Sequence, residues 1–213
     1  MVENEQTAKE IALTLLKIKA VKLQPQQPFT WASGWKSPIY CDNRVTLSFP
    51  EVRKSIAKGF AEIAVQHFKE STLVAGVATG AIAHGVLAAE QLQLPFVYVR
   101  SSAKDHGLGN LIEGRYHEGD KVLVIEDLIS TGMSSLKAVD ALRNAHTEVL
   151  GMVSIFTYGF KKSETAFKEK NCKLISLTSY DYLIKAALET GYINNDDVTS
   201  LNNWKQNPEI WGQ

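Results

Sequence analysis

Strands that are apolar along their whole length, each followed by a stretch of helical period, constrain a chain to a parallel sheet with helices over both faces. This chain writes that pattern repeatedly. LVAGVAT (73–79), FVYVR (96–100), KVLVIED (121–127), EVLGMVSIF (148–156) and CKLISLTS (172–179) read as strands. AIAHGVLAAEQL (81–92) and SSLKAVDALRNA (134–145) read as helices, the second with Leu136, Val139 and Leu142 on one face, and a short helix separates the last two strands. Two polar-faced helices are expected near 180–190 and 196–206. In such sheets ligands bind at the carboxyl ends of the strands.

Before the alternation begins, residues 5–19 carry a helical apolar face through Ile11, Leu15 and Ile18. The Pro- and Gly-punctuated piece QPQQPFTWASGWKSPIYCDNR (24–44) reads as two short strands around a turn. Ser48-Phe49-Pro50 marks a helix start, with Val52, Ile56, Phe60 and Ile63 recurring behind it. With 213 residues and 45% hydrophobic content, the chain supports one substantial core, and a single domain over 1–213 is expected. Lysine plus arginine equals aspartate plus glutamate at 23 each, so bulk charge argues for neither a nucleic-acid nor a membrane partner. Two cysteines, Cys41 and Cys172, make neither a disulfide framework nor a metal cluster. The N-terminus is polar and acidic, unlike a signal or transit peptide, and no apolar run approaches the roughly 20 residues of a membrane helix. A cytoplasmic protein is the expectation.

The stretch KVLVIEDLISTGMSS (121–135) holds the chemistry. Its strand is read as ending on Glu126 and Asp127, followed by small hydroxyl residues and a glycine before a helix. Backbone N–H groups, Ser and Thr hydroxyls and a helix N-terminus together suit a phosphate, which the run Leu128, Ile129, Ser130, Thr131, Gly132, Met133 and Ser134 would wrap. The two acids suit the hydroxyls of a sugar, which donate to carboxylates. Carboxylates repel a bare phosphate, so a sugar phosphate satisfies the whole stretch better. The competing reading makes the acids ordinary strand-end residues capping the next helix. No G-x-x-x-x-G-K-[ST] is present, and Gly107-Leu108-Gly109 has Ile112 where a dinucleotide fingerprint needs glycine.

This stretch resembles the phosphoribosyl-diphosphate (PRPP) signature of the type I phosphoribosyltransferases. FTWASGWKSPIYCDNR, GVATGAIAHG, VYVRSSAKDHGLGNLIEG and VLGMVSIFTY extend the resemblance, in order and spacing, to the orotate-using branch of that family. It implies an α/β fold with a mainly parallel central sheet flanked by helices, a small N-terminal hood over 1–50 and a flexible lid loop over 100–119. It also implies transfer of a phosphoribosyl group from PRPP to orotate, with Mg²⁺ held through the diphosphate and ribose hydroxyls and no direct protein ligand.

The loop from Arg100 to Gly119 carries Arg100, Lys104, His106, Arg115 and His117 among glycines. It reads either as a solvated surface loop or, from its length, as a lid whose cations meet a diphosphate. The resemblance assigns Arg100, Lys104 and His106 to the diphosphate, reached from the partner subunit of a homodimer, with Lys104 catalytic. It places Ser130 against orotate and Tyr40 and Cys41 beside the pyrimidine. Lys36 and Arg44 are nearby cations that could meet a carboxylate or could be plain hairpin charges.

Four positions depart from other branches of the family, which carry lysine at Ala32, Gly80 and Ser101 and an orotate-contacting arginine at Tyr158. Met133 stands where glycine is common. It costs about 1 kcal/mol if φ is positive there and little if it begins the helix. His67 and His146 are expected on helix surfaces, His84 is expected to be structural, and Cys172 is expected to pack. Two rival functions are a phosphoribosyltransferase for another base and a PRPP-sensing regulator. The regulator would call for a basic extension or an added DNA-binding domain, neither of which this neutral chain displays.

Overall fold

The computed structural model describes residues 2–31, 34–102 and 111–211. The chain opens with helix α1 (Glu5–Lys17), whose first turn is capped by the Asn4 side chain accepting from the Thr7 N–H. Strands β1 (Val21–Leu23), β2 (Phe29–Thr30), β3 (Lys36–Ser37) and β4 (Ile39–Cys41) follow, then a 3-10 helix over Asn43–Ser48. Helix α2 (Pro50–His67) starts with proline at its first position, where the missing N–H costs nothing. The alternating part comprises β5 (Leu73–Val77), α3 (Ile82–Leu92), β6 (Phe96–Val99), β7 (Ile112–Glu113), β8 (Lys121–Ile129), α4 (Met133–Asn144), β9 (Glu148–Thr157), α5 (Lys161–Glu169) and β10 (Leu174–Ser179). Helices α6 (Tyr180–Glu189) and α7 (Asn195–Gln206) close it, α7 through a capping box between Asn194 and Asp197.

The main sheet has six strands in the order β10-β9-β8-β5-β6-β7, and every neighbouring pair is parallel except β6–β7. From β5 the chain builds outward to β6 and β7, then returns to lay β8 on the other side of β5. The strand order therefore reverses between β5 and β8, and the crevice beyond their carboxyl ends is where such sheets take ligands.

Alternation along the strands feeds two cores, one on each face. Leu123 and Ile125 of β8, with Val153 and Ile155 of β9, face the core beneath α1, α2, α3, α6 and α7. Val122, Val124 and Ile129 of β8, with Met152 of β9, face the core beneath α4, where Leu136, Val139 and Leu142 pack as the period predicts.

The structure alters the sequence reading at four places. The hood holds four short strands rather than two: β1 pairs antiparallel with β4 and the β2–β3 hairpin nests inside. Val21–Leu23 is too brief to show a period, and only its partner defines it. Strand β8 does not end at Asp127 but continues to Ile129, because Leu128 and Ile129 still pair with Phe156 and Thr157 of β9. The segment read as one loop over 100–119 contains β7, which pairs with Tyr98 and Val99. Finally, His146 lies not on a helix but in the turn after α4, with φ at 59°.

Trp204 of α7 fastens the hood to the sheet. It is wholly buried, its Nε1 donates to the Lys36 carbonyl at 3.2 Å, and its ring meets Trp31, Tyr158, Phe160 and Tyr180 with centroids 5.5–5.7 Å apart. Trp204→Ala is expected to cost about 3–5 kcal/mol of folding free energy in a denaturant titration, the cost of truncating a buried aromatic.

Candidate active site

The crevice at the switch point is a cavity of about 440 Å³ with contributions from three parts of the chain. The hood gives Cys41, Asp42 and Arg44; the β5–α3 turn gives Val77 to Gly80; β8 and the start of α4 give Glu126, Asp127, Leu128, Ser130, Thr131, Gly132, Ser134 and Ser135.

Glu126 is 5% exposed. Its Oε1 accepts from the Asp127 N–H at 2.9 Å and its Oε2 from the Ser135 hydroxyl at 2.7 Å. Burial, reinforced by the neighbouring Asp127 charge, lifts its carboxyl well above the usual range. Asp127 lies against the β5–α3 turn: a Cβ built on Gly80 would sit 2.6 Å from the Asp127 carboxyl carbon. Glycine at 80 therefore leaves the space that the Asp127 carboxylate fills, and no side chain fits there with Asp127 in this position.

Beyond β8 the chain turns at Gly132, whose φ of 79° is open to glycine and strained for other residues, and a Cβ there would also meet the Phe167 ring at 2.7 Å. Gly132 caps α4 without a side chain, so the first-turn N–H groups face the turn formed by Ser130, Thr131 and Ser134. Met133 is the first helical residue and 59% exposed, so the cost of a positive φ at that position does not arise. Leu128 and Ile129 sit differently from the rest of their run. Both are committed to the β8–β9 ladder, Ile129 is fully buried in the core, and the turn itself is 130–132, with Met133 and Ser134 opening α4.

On the hood side, β4 alternates, with Ile39 buried, Tyr40 exposed and Cys41 half-buried. Adjacent strand residues point to opposite faces, so only Cys41 of the Tyr40–Cys41 pair lines the cavity, and Tyr40 packs on Phe29 with centroids 5.6 Å apart. Lys36 reaches Thr30 Oγ1 at 2.9 Å across the β2–β3 hairpin and is not among the lining residues. Arg44 does line the cavity, gripping Asp42 through Nε and Nη2 at 2.7 and 2.8 Å. That guanidinium holds the Asp42 carboxyl below its ordinary value. The Cys41 thiol is raised well above its own by burial and by the charges of Asp127 and Asp42, so it is a thiol and not a thiolate.

Arg100 borders a second cavity of about 620 Å³ that shares Val77, Ala78, Thr131 and Ser134 with the first. Its Nη1 lies 3.5 Å from Glu113 Oε1. Lys104 and His106 fall outside the described residues, as does Ala32. Arg115 and His117 are exposed on the connection from β7 to β8, where the His117 N–H donates to Asp120 at 2.7 Å. Tyr158 is buried among aromatic rings, stacked on Phe160 with centroids 5.3 Å apart.

Three residues escaped the sequence reading. Ser135 follows directly on the named run, and its place at the third helical position, facing back to the strand end, was the available signal. Asp42 lay inside a motif already singled out. Asn43, whose Nδ2 donates to the Asp127 carbonyl at 2.7 Å, leaves no local signal because its partner is 84 residues away.

A switch-point crevice with paired acids on one strand and a hydroxyl–glycine turn into the next helix defines the phosphoribosyltransferase class. A phosphoribosyl transferase domain model accordingly matches residues 51–185. Within that class the chain belongs to the orotate phosphoribosyltransferase family. It is 58% identical over 203 residues to the orotate phosphoribosyltransferase of Phocaeicola vulgatus, covering 95% of this chain and 96% of that one. It is 56% identical over 204 residues to the orotate phosphoribosyltransferase of Porphyromonas gingivalis, covering 96% and 97%. Among solved structures, orotate phosphoribosyltransferase from Aeropyrum pernix superposes with a TM-score of 0.74 at 26% identity, covering 86% of this chain and 99% of that one.

Two outcomes are expected from this geometry. An acid whose folded pKa is raised keeps its proton in the folded state over a range where the unfolded chain has released it. Its contribution to stability therefore falls as pH rises from the ordinary glutamate value of 4.5 toward the raised folded value. Glu126→Gln removes that penalty, so the variant should melt above the wild type at about pH 8 and level with it at about pH 4. Gly80→Ala should displace the Asp127 carboxylate and raise KM for PRPP by about 10- to 100-fold, the loss of one hydrogen bond to a charged group, with an almost unchanged melting midpoint.

Proposed function

We propose that this protein transfers the ribose 5-phosphate group of PRPP to orotate, giving orotidine 5′-monophosphate and diphosphate in de novo pyrimidine synthesis. The observation that carries this reading is the convergence of Glu126, Asp127 and the Ser130–Ser134 run on one cavity at the switch point. The 5-phosphate is held by the turn hydroxyls and the α4 N-terminus. The ribose hydroxyls donate to Asp127 and Glu126, whose carboxyl groups stand where hydroxyl donors satisfy them.

In the reaction N1 of orotate bonds to the anomeric carbon as the bond from that carbon to the diphosphate oxygen breaks, and the proton that N1 gives up leaves with the diphosphate or to solvent. Positive charge develops on the sugar and negative charge on the leaving group. Asp127 supplies negative potential beside the sugar, while Arg100, Lys104 and His106 meet the diphosphate, with Lys104 in the catalytic role. The stretch ahead of β7, residues 100–110, brings these cations from the partner subunit of a homodimer and excludes water from the reacting atoms. Mg²⁺ would be held by the diphosphate and ribose hydroxyls of PRPP, hard oxygen donors that need no direct protein ligand, and would supply neutralisation of the leaving-group charge. Orotate lies between Ser130, Cys41 and the hood. No helix among the described residues is long and apolar enough to cross a membrane, and we assign the activity to the cytoplasm.

Mixing the protein with orotate, PRPP and Mg²⁺ should consume orotate, followed by its ultraviolet absorbance. Lys104→Ala should lower the rate on the order of 100- to 1,000-fold, the usual effect of deleting one group that stabilises developing charge. Absence of orotate consumption while PRPP still binds would remove orotate as the substrate.

A further inference from the structure

The cavity has a charge imbalance that its substrate must answer. Three acidic side chains line it, Asp42, Asp127 and the buried Glu126, whose carboxyl burial holds toward its neutral form, and among the described lining residues Arg44 is the single cation. Orotate carries its carboxylate on the ring carbon next to N1, so once N1 faces the anomeric carbon the carboxylate lies close to the acid-lined sugar site. An anion placed there without a cation would be repelled. Tyr158, on the strand that continues past β8's neighbour, offers none, being neutral and enclosed by Phe156, Phe160, Tyr180 and Trp204.

We propose that Arg44 receives the orotate carboxylate and sets the preference for a carboxylated pyrimidine, with Asp42 as the group that aims it. The inference rests on the activity proposed above. A guanidinium carries five N–H donors in a rigid fork. Nε and Nη2 are engaged by Asp42 at 2.7 and 2.8 Å, which leaves both N–H groups of Nη1 and one of Nη2 for a second carboxylate.

The turn that carries Arg44 is fixed to the sugar site. Asn43 Nδ2 donates to the Asp127 carbonyl at 2.7 Å, and the Thr46 hydroxyl donates to the Asn43 carbonyl at 2.5 Å. Thr46 Oγ1 also lies 3.2 Å from Nε2 of the buried His84. With its hydroxyl proton on the Asn43 carbonyl, Thr46 accepts from the His84 ring, which fixes that tautomer. The spacing between this turn and the ribose acids is therefore built into the fold, and the exposed guanidinium is oriented from it by Asp42. An exposed local ion pair alone contributes little to stability, so a structural role and a binding role separate cleanly.

Steady-state kinetics of wild type, Arg44→Ala and Arg44→Lys, with melting curves for each, test this. Arg44→Ala should raise KM for orotate by about 10- to 100-fold, leave KM for PRPP within about twofold and leave the melting midpoint unchanged. Arg44→Lys should recover part of the loss, since it keeps the charge and loses the fork. Inhibition by uracil, which lacks the carboxylate, should be the same in wild type and Arg44→Ala. An Arg44→Ala protein with an unchanged KM for orotate, or with both KM values raised alike, overturns the assignment and leaves the activity standing. A wild type that consumes no orotate overturns both.

Discussion

Burial of the Glu126 carboxyl in the last third of the central strand is the constraint around which the site is arranged. β8 lies between β5 and β9, apolar on both faces through Ile125, and so delivers its acids into a region with little water. A carboxylate there must be partnered or take up a proton. The Ser135 hydroxyl and the Asp127 N–H provide partners, the first from α4 and the second from β8, the two elements that the phosphate turn joins. The two substrate-facing functions of this connection are thus mechanically one piece: moving the turn moves the acids.

The hood completes the cavity by a different physical route. Its strands are two or three residues long and would not persist alone. They are held by aromatic packing, with Trp31 and Trp204 each donating an indole N–H to a hood carbonyl, and by Asn43 reaching the β8 backbone. A small element built from weak pairing can present Cys41, Asp42 and Arg44 at a fixed distance from the sugar site because its anchors are long-range contacts with the sheet and α7.

Much of this was legible in the sequence, and the particular residues show why. The strand and helix readings from Leu73 to Ser179 follow from continuous apolar runs and the 3.6-residue period, signals that depend only on neighbours in the chain. Glu126, Asp127, Ser130, Thr131, Gly132 and Ser134 stand together in the sequence and together in the cavity, because one strand–turn–helix carries them all. Tyr40, Lys36, Asn43 and Gly80 were not legible in this way. Whether Tyr40 or Cys41 faces the site depends on the pairing of β4 with β1, and the reason for glycine at 80 is a carboxylate 47 residues later.

The sequence by itself determined the α/β class, the position of the sugar-phosphate motif and its resemblance to a family, since each is written in contiguous residues. Only the tertiary structure decided that β8 runs on to Ile129, that Met133 begins a helix, and that Arg44 shares a cavity with the acids while Lys36 does not. The physical reason is common to all three. Ladder pairing, helix starts after a left-handed glycine and the facing of side chains are settled by partners distant in the chain, and no local pattern carries that information.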